Sequence, residues 1–235
     1  DTVVAASGLA SAQRLMPHNQ WLATLRKWQA AIQPAAESAH GLLPHRVTSS
    51  GAPLEGPRGS SQSIIQTFMP DVDLVLDGQL DAGRWQRFSE VFVVRELGLV
   101  GVREYPRGTA GRSDVDSGPL IAGVSASASV VTLAAARRVG DRALASALDR
   151  EAELLGAPIS LGAQKYYAFG LVPVGDAFLA WARGVAPVSM PAPPGSEASH
   201  RPFWELFLLL GSLPGLLGVF ALRSLRHPSD PDSVR

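Results

Sequence analysis

"PLIAGVSASASVVTLAAARRVGDRALASALDREAELL", residues 119–155, decides how the fold is read. Gly140 and Asp141 divide it. A glycine ends one helix and an aspartate side chain caps the next. Leu144, Leu148 and Leu155 mark the buried side of the second helix. Helices joined by so short a link must be antiparallel neighbours. In the first helix, "IAGVSASASVVTLAAARR" (121–138) is rich in Gly, Ala and Ser, which lets neighbouring helices approach closely.

The same unit recurs on either side. In 19–33, "NQWLATLRKWQAAIQ", Trp21, Leu25, Trp28 and Ile32 share one helical face and read as core. Asn19 suits an N-cap and Pro34 a stop. The preceding helix, 1–16, reaches it through "PH" at 17–18. Residues 81–97 place Trp85, Phe88 and Phe92 on one side and end at Gly98. Residues 173–184 start another helix, with Pro173 in its first turn. No run of β-branched residues alternates as a strand would. Links within hairpins are short. Links between them, 34–59, 98–118 and 157–172, are long. That alternation predicts an all-α chain of hairpins, closed tightly at one end and linked by long loops gathered at the other.

Composition narrows the function. A chain of 235 residues, 46% hydrophobic, is long enough for a sizeable core. Its 21 basic and 21 acidic residues balance, so nothing points to nucleic acid. Without cysteine there is no disulfide, thiol nucleophile or thiolate-held metal. The abundance of Ala, Gly, Arg and Pro fits a GC-rich bacterial genome. No two histidines have metal-binding spacing, and no nucleophile elbow, P-loop or dinucleotide fingerprint occurs; no cofactor is expected.

The C-terminal part differs. Residues 203–222, "FWELFLLLGSLPGLLGVFAL", form an apolar run whose only charge is Glu205. As a helix it would span roughly 30 Å, a bilayer core. Trp204 would sit at one interface, and Arg223 and Arg226 follow the run. The expected division is a toroid domain at 1–185, a Pro/Ser/Gly-rich linker at 186–202, a transmembrane helix at 203–222 and a short tail at 223–235. The positive flank puts the tail in the cytoplasm and the large domain outside. Asp1 opens a helix body with no start signal, so the domain is expected to be incomplete at its N-terminus.

The alternating hairpins, the turn "GLLPHRV" (41–47) and the loop "DVDSGP" (114–119) resemble the α/α toroid, or six-hairpin glycosidase-like superfamily, over about residues 1–185. The linalool dehydratase-isomerase group belongs to the same resemblance, although its chemistry is associated with cysteine. The resemblance implies an incomplete α/α toroid, and a membrane-anchored hydrolase-like or lyase-like enzyme acting on a carbohydrate or isoprenoid. The alternative is a non-catalytic module that binds glycan, lipid or protein.

The long links would converge over one mouth of such a ring, where a ligand would bind. From the first link come His45, Arg46, Arg58 and Gln62; from the second, Arg103, Glu104, Tyr105, Arg107, Asp114 and Asp116; from the third, Lys165, Tyr166 and Tyr167. Asp114 or Asp116 with Glu104 would be an acid/base pair, since glycoside hydrolysis needs two carboxyls, one protonated and one ionised. His45 would be a general base. The arginines, Gln62, Lys165 and the tyrosines would bind substrate. Against these stand plainer roles. Asp116 with Ser117 would cap the helix that starts near Pro119, and Asp114 would pair with Arg112. Ser60 or Ser61 would cap the helix after Arg58. His18 and His40 read as caps.

Overall fold

The computed structural model describes residues 1–38, 41–96 and 98–188. It opens with two helices, α1 (Thr2–Leu15) and α2 (Asn19–Ser38), followed by a two-stranded ribbon, β1 (Arg46–Val47) and β2 (Pro53–Glu55). Helices α3 (Gly59–Leu76) and α4 (Ala82–Phe92) come next, then strands β3 (Val93–Glu96), β4 (Leu99–Arg103), β5 (Leu120–Ile121) and β6 (Val124–Ser125). The hairpin α5 (Ala126–Val139) and α6 (Arg142–Leu155) leads to a ribbon of β7 (Ile159–Leu161) and β8 (Gln164–Tyr166). A 3-10 turn (Ala168–Gly170) and α7 (Pro173–Gly184) complete the described part.

Helices α3 and α5 form the centre: α3 packs on α1 and α5, and α5 packs on α6 and α7 as well. The main core joins Phe88 and Phe92 of α4 to Val100 and Val102 of β4, Leu133 and the alanines of α5, and Leu144 and Leu148 of α6. The small side chains of α5 have the expected effect. Ala134, Ala135 and Ala136 are all fully buried where neighbours press close. Gly140 takes a left-handed conformation, φ 81°, and Asp141 caps α6 by accepting from Leu144 N at 3.0 Å.

The chain is a mixed α/β protein, and the all-α toroid is corrected. Among the described residues, eight short strands form three antiparallel sheets, the largest ordered β3-β4-β6-β5. The decisive stretch is 91–103. Helix α4 stops at Phe92 instead of running on to residue 97, because Val93 and Val94 begin a strand. β-branched side chains fit a pleated surface better than a helix. Gly98, at φ 76°, then turns the chain so that Val93 faces Val102 and Val94 faces Gly101. The next boundary moves too. Residues 120–125 pair as β5 and β6, so α5 starts at Ala126 and its cap is Ser125, which accepts from Ala128 N at 3.0 Å. Pro34 lies inside α2, not beyond it. The carbonyl it leaves unbonded belongs to exposed Ala30.

The membrane expectation rests on residues 203–222. Among the described residues no helix is long and apolar enough to cross a bilayer. The run 203–222, the tail 223–235 and the linker beyond Val188 lie outside the described residues, as does His40.

One buried acid supports the sheet. β6 pairs with β4 only at Val102 and Arg103. Beyond that, Ser129 Oγ accepts from Val102 N at 3.0 Å, and the Glu151 carboxylate of α6 accepts from Val100 N. Glu151 is only 8% exposed, and this desolvation pushes its carboxyl up to about 7 despite the bond from Val100 and the Arg150 charge. The folded state therefore holds a proton more tightly than the unfolded chain does. Stability is fullest below the ordinary carboxyl range and falls as pH rises through about 7. The loss is expected to be about 3 kcal/mol between pH 4.5 and 8, read from urea midpoints. Glu151→Gln should flatten that slope. An unchanged slope in the variant would assign it to another group.

Candidate functional site

Two of the long links meet. The start of α3 lies against the end of β4, and Gly59 N donates to Glu104 O at 2.8 Å. Tertiary packing brings together Arg58, Gln62, Glu104, Tyr105 and Asp114, which lie up to 56 positions apart.

Arg58 is the centre. It precedes the first turn of α3 in extended backbone, φ −127°, and the residue is 7% exposed. Nε donates to Glu104 Oε1 at 2.7 Å, and Nη1 reaches Asp114 Oδ2 at 2.6 Å. The guanidinium also lies over the Tyr105 ring, 5.2 Å from its centroid, a cation–π contact. Glu55 is 3.9 Å from Nη1. Glu104 is fully buried, and its carboxylate also accepts from Ser60 N at 3.1 Å and Ser60 Oγ at 2.7 Å. The helix start thus presents an amide, a hydroxyl and a cation to one carboxylate, the arrangement in which a buried charge is tolerated.

Asp114 closes a turn. Ser117 N donates to Asp114 Oδ1 at 2.9 Å, and Asp114 N donates to Ser117 Oγ at 2.9 Å. Partial desolvation pulls its carboxyl upward, but the bonds from Arg58 and Ser117 and the guanidinium charge hold it down at about 2. Near neutral pH it carries no proton to give.

The remaining expected residues divide. Gln62 is fully buried and donates through Nε2 to Leu43 O at 2.5 Å. His45 N donates to Glu55 O and Gly56 O, which fixes the β1–β2 ribbon beside the site. Arg46 pairs with Glu55 at 2.9 Å on the surface. Arg103 Nε donates to Tyr105 O at 3.4 Å, and Tyr105 OH to Arg112 O at 2.9 Å. Arg107 and Asp116 are exposed. Asp116 caps nothing, and its carbonyl accepts from Ser127 Oγ at 2.6 Å. Ser117 also serves the turn: its carbonyl accepts from the true cap, Ser125 Oγ, at 2.6 Å. Nor do Ser60 and Ser61 cap α3: Ser60 binds Glu104, and Ser61 Oγ donates to Arg58 O at 3.0 Å.

The third link forms its own cluster. Lys165 pairs with Glu153 of α6, Tyr166 OH donates to Gln164 Oε1, and Tyr167 OH reaches Glu153 Oε1 at 2.5 Å. Arg183 of α7 joins Asp149 at 2.7 Å and Glu153 at 2.6 Å. These bonds, against desolvation, hold the Glu153 carboxyl at about 2. The cluster ties α6 to α7 and to the β7–β8 ribbon.

Three polar atoms at the main site have no hydrogen-bond partner: Arg58 Nη2, Gln62 Oε1 and His45 Nδ1. Ser60 and Ser117 are the members the sequence reading left without a site role. The spacing of Arg58, Gly59 and Ser60 at a helix start was the signal for Ser60, and it was spent on capping. Among the described residues no group of three or more His, Cys, Asp or Glu is placed to hold a metal. No family model and no curated protein matches the chain.

Proposed function

We propose that the chain is a non-catalytic binding module whose ligand is a carbohydrate, met at the junction of segments 41–62 and 99–118. The observation that carries this is the engagement of both Glu104 and Asp114 by the single guanidinium of Arg58. Acid/base hydrolysis needs one carboxyl that keeps a proton and one free to face the substrate. Glu104 is enclosed, with both oxygens accepting hydrogen bonds, and Asp114 is held at about 2. Neither fits the acid role. Exposed Arg46 and Arg107 donate and exposed Asp116 accepts, and a sugar hydroxyl answers both kinds of group because it donates and accepts. Segment 105–116 lies over Arg58 through Tyr105 and Asp114, and most of it is exposed, so Arg107 and the Tyr105 edge are available to a ligand.

The test is calorimetric titration with a panel of neutral and acidic oligosaccharides, with product analysis of the same samples. Saturable binding without cleavage is expected, weakened roughly tenfold by Arg107→Ala, a loss of about 1.4 kcal/mol. Cleavage by the wild type that disappears in Asp114→Asn would reinstate a carboxylate enzyme. No binding across the panel would remove carbohydrate as the ligand.

A further inference from the structure

We propose that the cleft between α3, α5 and the end of α7 is a second binding site, specific for a small aryl-alkyl monocarboxylate. It lies away from the Arg58 junction: Phe68 and Asp71 are ten and thirteen residues beyond Arg58 on the same helix, about 15–20 Å along its axis. The cleft has a volume of about 410 Å³, within the range of roughly 300–1,000 Å³ usual for small-molecule pockets. Thr67, Phe68, Asp71, Arg138, Trp181 and Gly184 line it.

One wall is aromatic. Phe68 and Trp181 stack with centroids 6.0 Å apart and planes 14° from parallel. Phe178 meets Trp181 edge-on at 6.2 Å, which helps fix the indole. Two aligned rings present a flat surface, and a third ring gains most by offset stacking on it.

The other wall is cationic. Asp71 is buried, and both its oxygens are occupied: Ser7 Oγ donates to Oδ2 at 2.8 Å, Arg14 Nη2 donates to Oδ1 at 2.7 Å, and Arg138 also bonds Oδ1. Arg137, one residue before, donates to Val185 O at 3.2 Å. Two guanidiniums thus stand around one carboxylate, and a third, that of Arg137, is held at Val185 on the cleft wall. The C-terminal ends of α5 and α7 converge nearby with partial negative charge, roughly half a unit each. The sum stays positive. Arg138 is four-fifths buried, so water screens it weakly. Its guanidinium has five N–H donors, and the bonds to Asp71 and to Ala186 O, at 3.5 Å, account for two. A carboxylate is the ligand group that matches the fork of a guanidinium in shape and charge.

The wall is also preformed. Val188 N donates to Arg138 O at 2.8 Å, which, with the Arg137 bond, fixes 185–188 along the end of α5. A rigid seat of this kind loses little entropy on binding.

The experiment titrates the full 235-residue chain with three probes that share one body: 4-phenylbutyrate, 4-phenylbutanol and 4-phenylbutylamine. Ligand-observed NMR and calorimetry give the affinities. The acid should bind at least tenfold more tightly than the alcohol, and the amine most weakly. Arg138→Gln should remove the preference of acid over alcohol. Because that change disturbs Asp71, a second variant keeps the test decisive. A Cβ added at Gly184 meets nothing within 4 Å, so Gly184→Phe can fill the cleft without displacing packed atoms. Circular dichroism should be unchanged, and binding of all three probes should fall at least tenfold. Equal affinities for acid and amine, no saturable binding at millimolar acid, or full acid binding by Gly184→Phe would each overturn the proposal.

Discussion

Alanine at Gly59 is expected to destabilise the folded state by about 3–5 kcal/mol, a large part of the roughly 5–15 kcal/mol that holds a domain together. A Cβ at this position would stand 1.9 Å from Arg103 O and 2.9 Å from its carbonyl carbon. Those are backbone atoms of β4, held in register on both sides by β3 and β6. They cannot swing aside as a side-chain tip does. The helix start must withdraw, and withdrawal breaks the Gly59 N to Glu104 O bond and stretches the contacts of Glu104 with Arg58 and Ser60. Overpacking and loss of a buried ion pair thus add. Urea unfolding read by circular dichroism measures the effect. Gly8→Ala is the control: it lies within α1, its Cβ would meet nothing within 4 Å, and alanine there should stabilise by about 0.5–1 kcal/mol. Comparable midpoints for Gly59→Ala and wild type would show that β4 yields at this junction.

The second large effect belongs to the Arg58–Glu104 pair. Glu104→Gln leaves Arg58, 7% exposed, with only the part-exposed carboxylates of Asp114, at 2.6 Å, and Glu55, at 3.9 Å. Arg58→Met leaves Glu104 charged and fully enclosed. Each is expected to cost about 3–5 kcal/mol, since removing one member of a buried pair strands the other charge. The double variant should lose far less than the sum, because no buried charge is then left without a partner, Asp114 being part-exposed, and Met fills much of the arginine volume. A double-mutant cycle of urea midpoints gives the coupling. Simple additivity would mean that the two side chains do not act as a pair.

The cycle also bears on function, because the same guanidinium sets the character of both acids. Glu104 and Asp114 look alike in the sequence: each is an acid in a polar link, near arginines. Sequence spacing offered Arg112 as the neighbour of Asp114. The partner of both is Arg58, 46 residues before Glu104 and 56 before Asp114. A polar link shows that charged groups exist, whereas the pairing of distant charges depends on which helix start meets which strand end.

Local chemistry determined a good part of this protein. Gly140 and Asp141 place the turn between α5 and α6, Pro173 opens α7, and the small residues of 128–136 make α5 a buried helix, because caps, φ preferences and side-chain size act within a few residues. The lack of cysteine is likewise fixed by sequence alone. Strand β3 and the early end of α4 were decided by tertiary structure. The stretch "VFVVRELGLVGVRE" (91–104) carries apolar residues at both helical and strand spacing, and only pairing of Val93 with Val102, over the core of α5 and α6, selects the strand. The roles of Ser60 and Asp116 were decided in the same way. A serine at a helix start and an aspartate before one both read as caps, until Glu104 arrives from a remote strand to claim the first and β5 and β6 intervene to move the helix away from the second. Short-range forces write their signature into neighbouring residues. Long-range contacts leave none, because any of several partners would satisfy the same side chain.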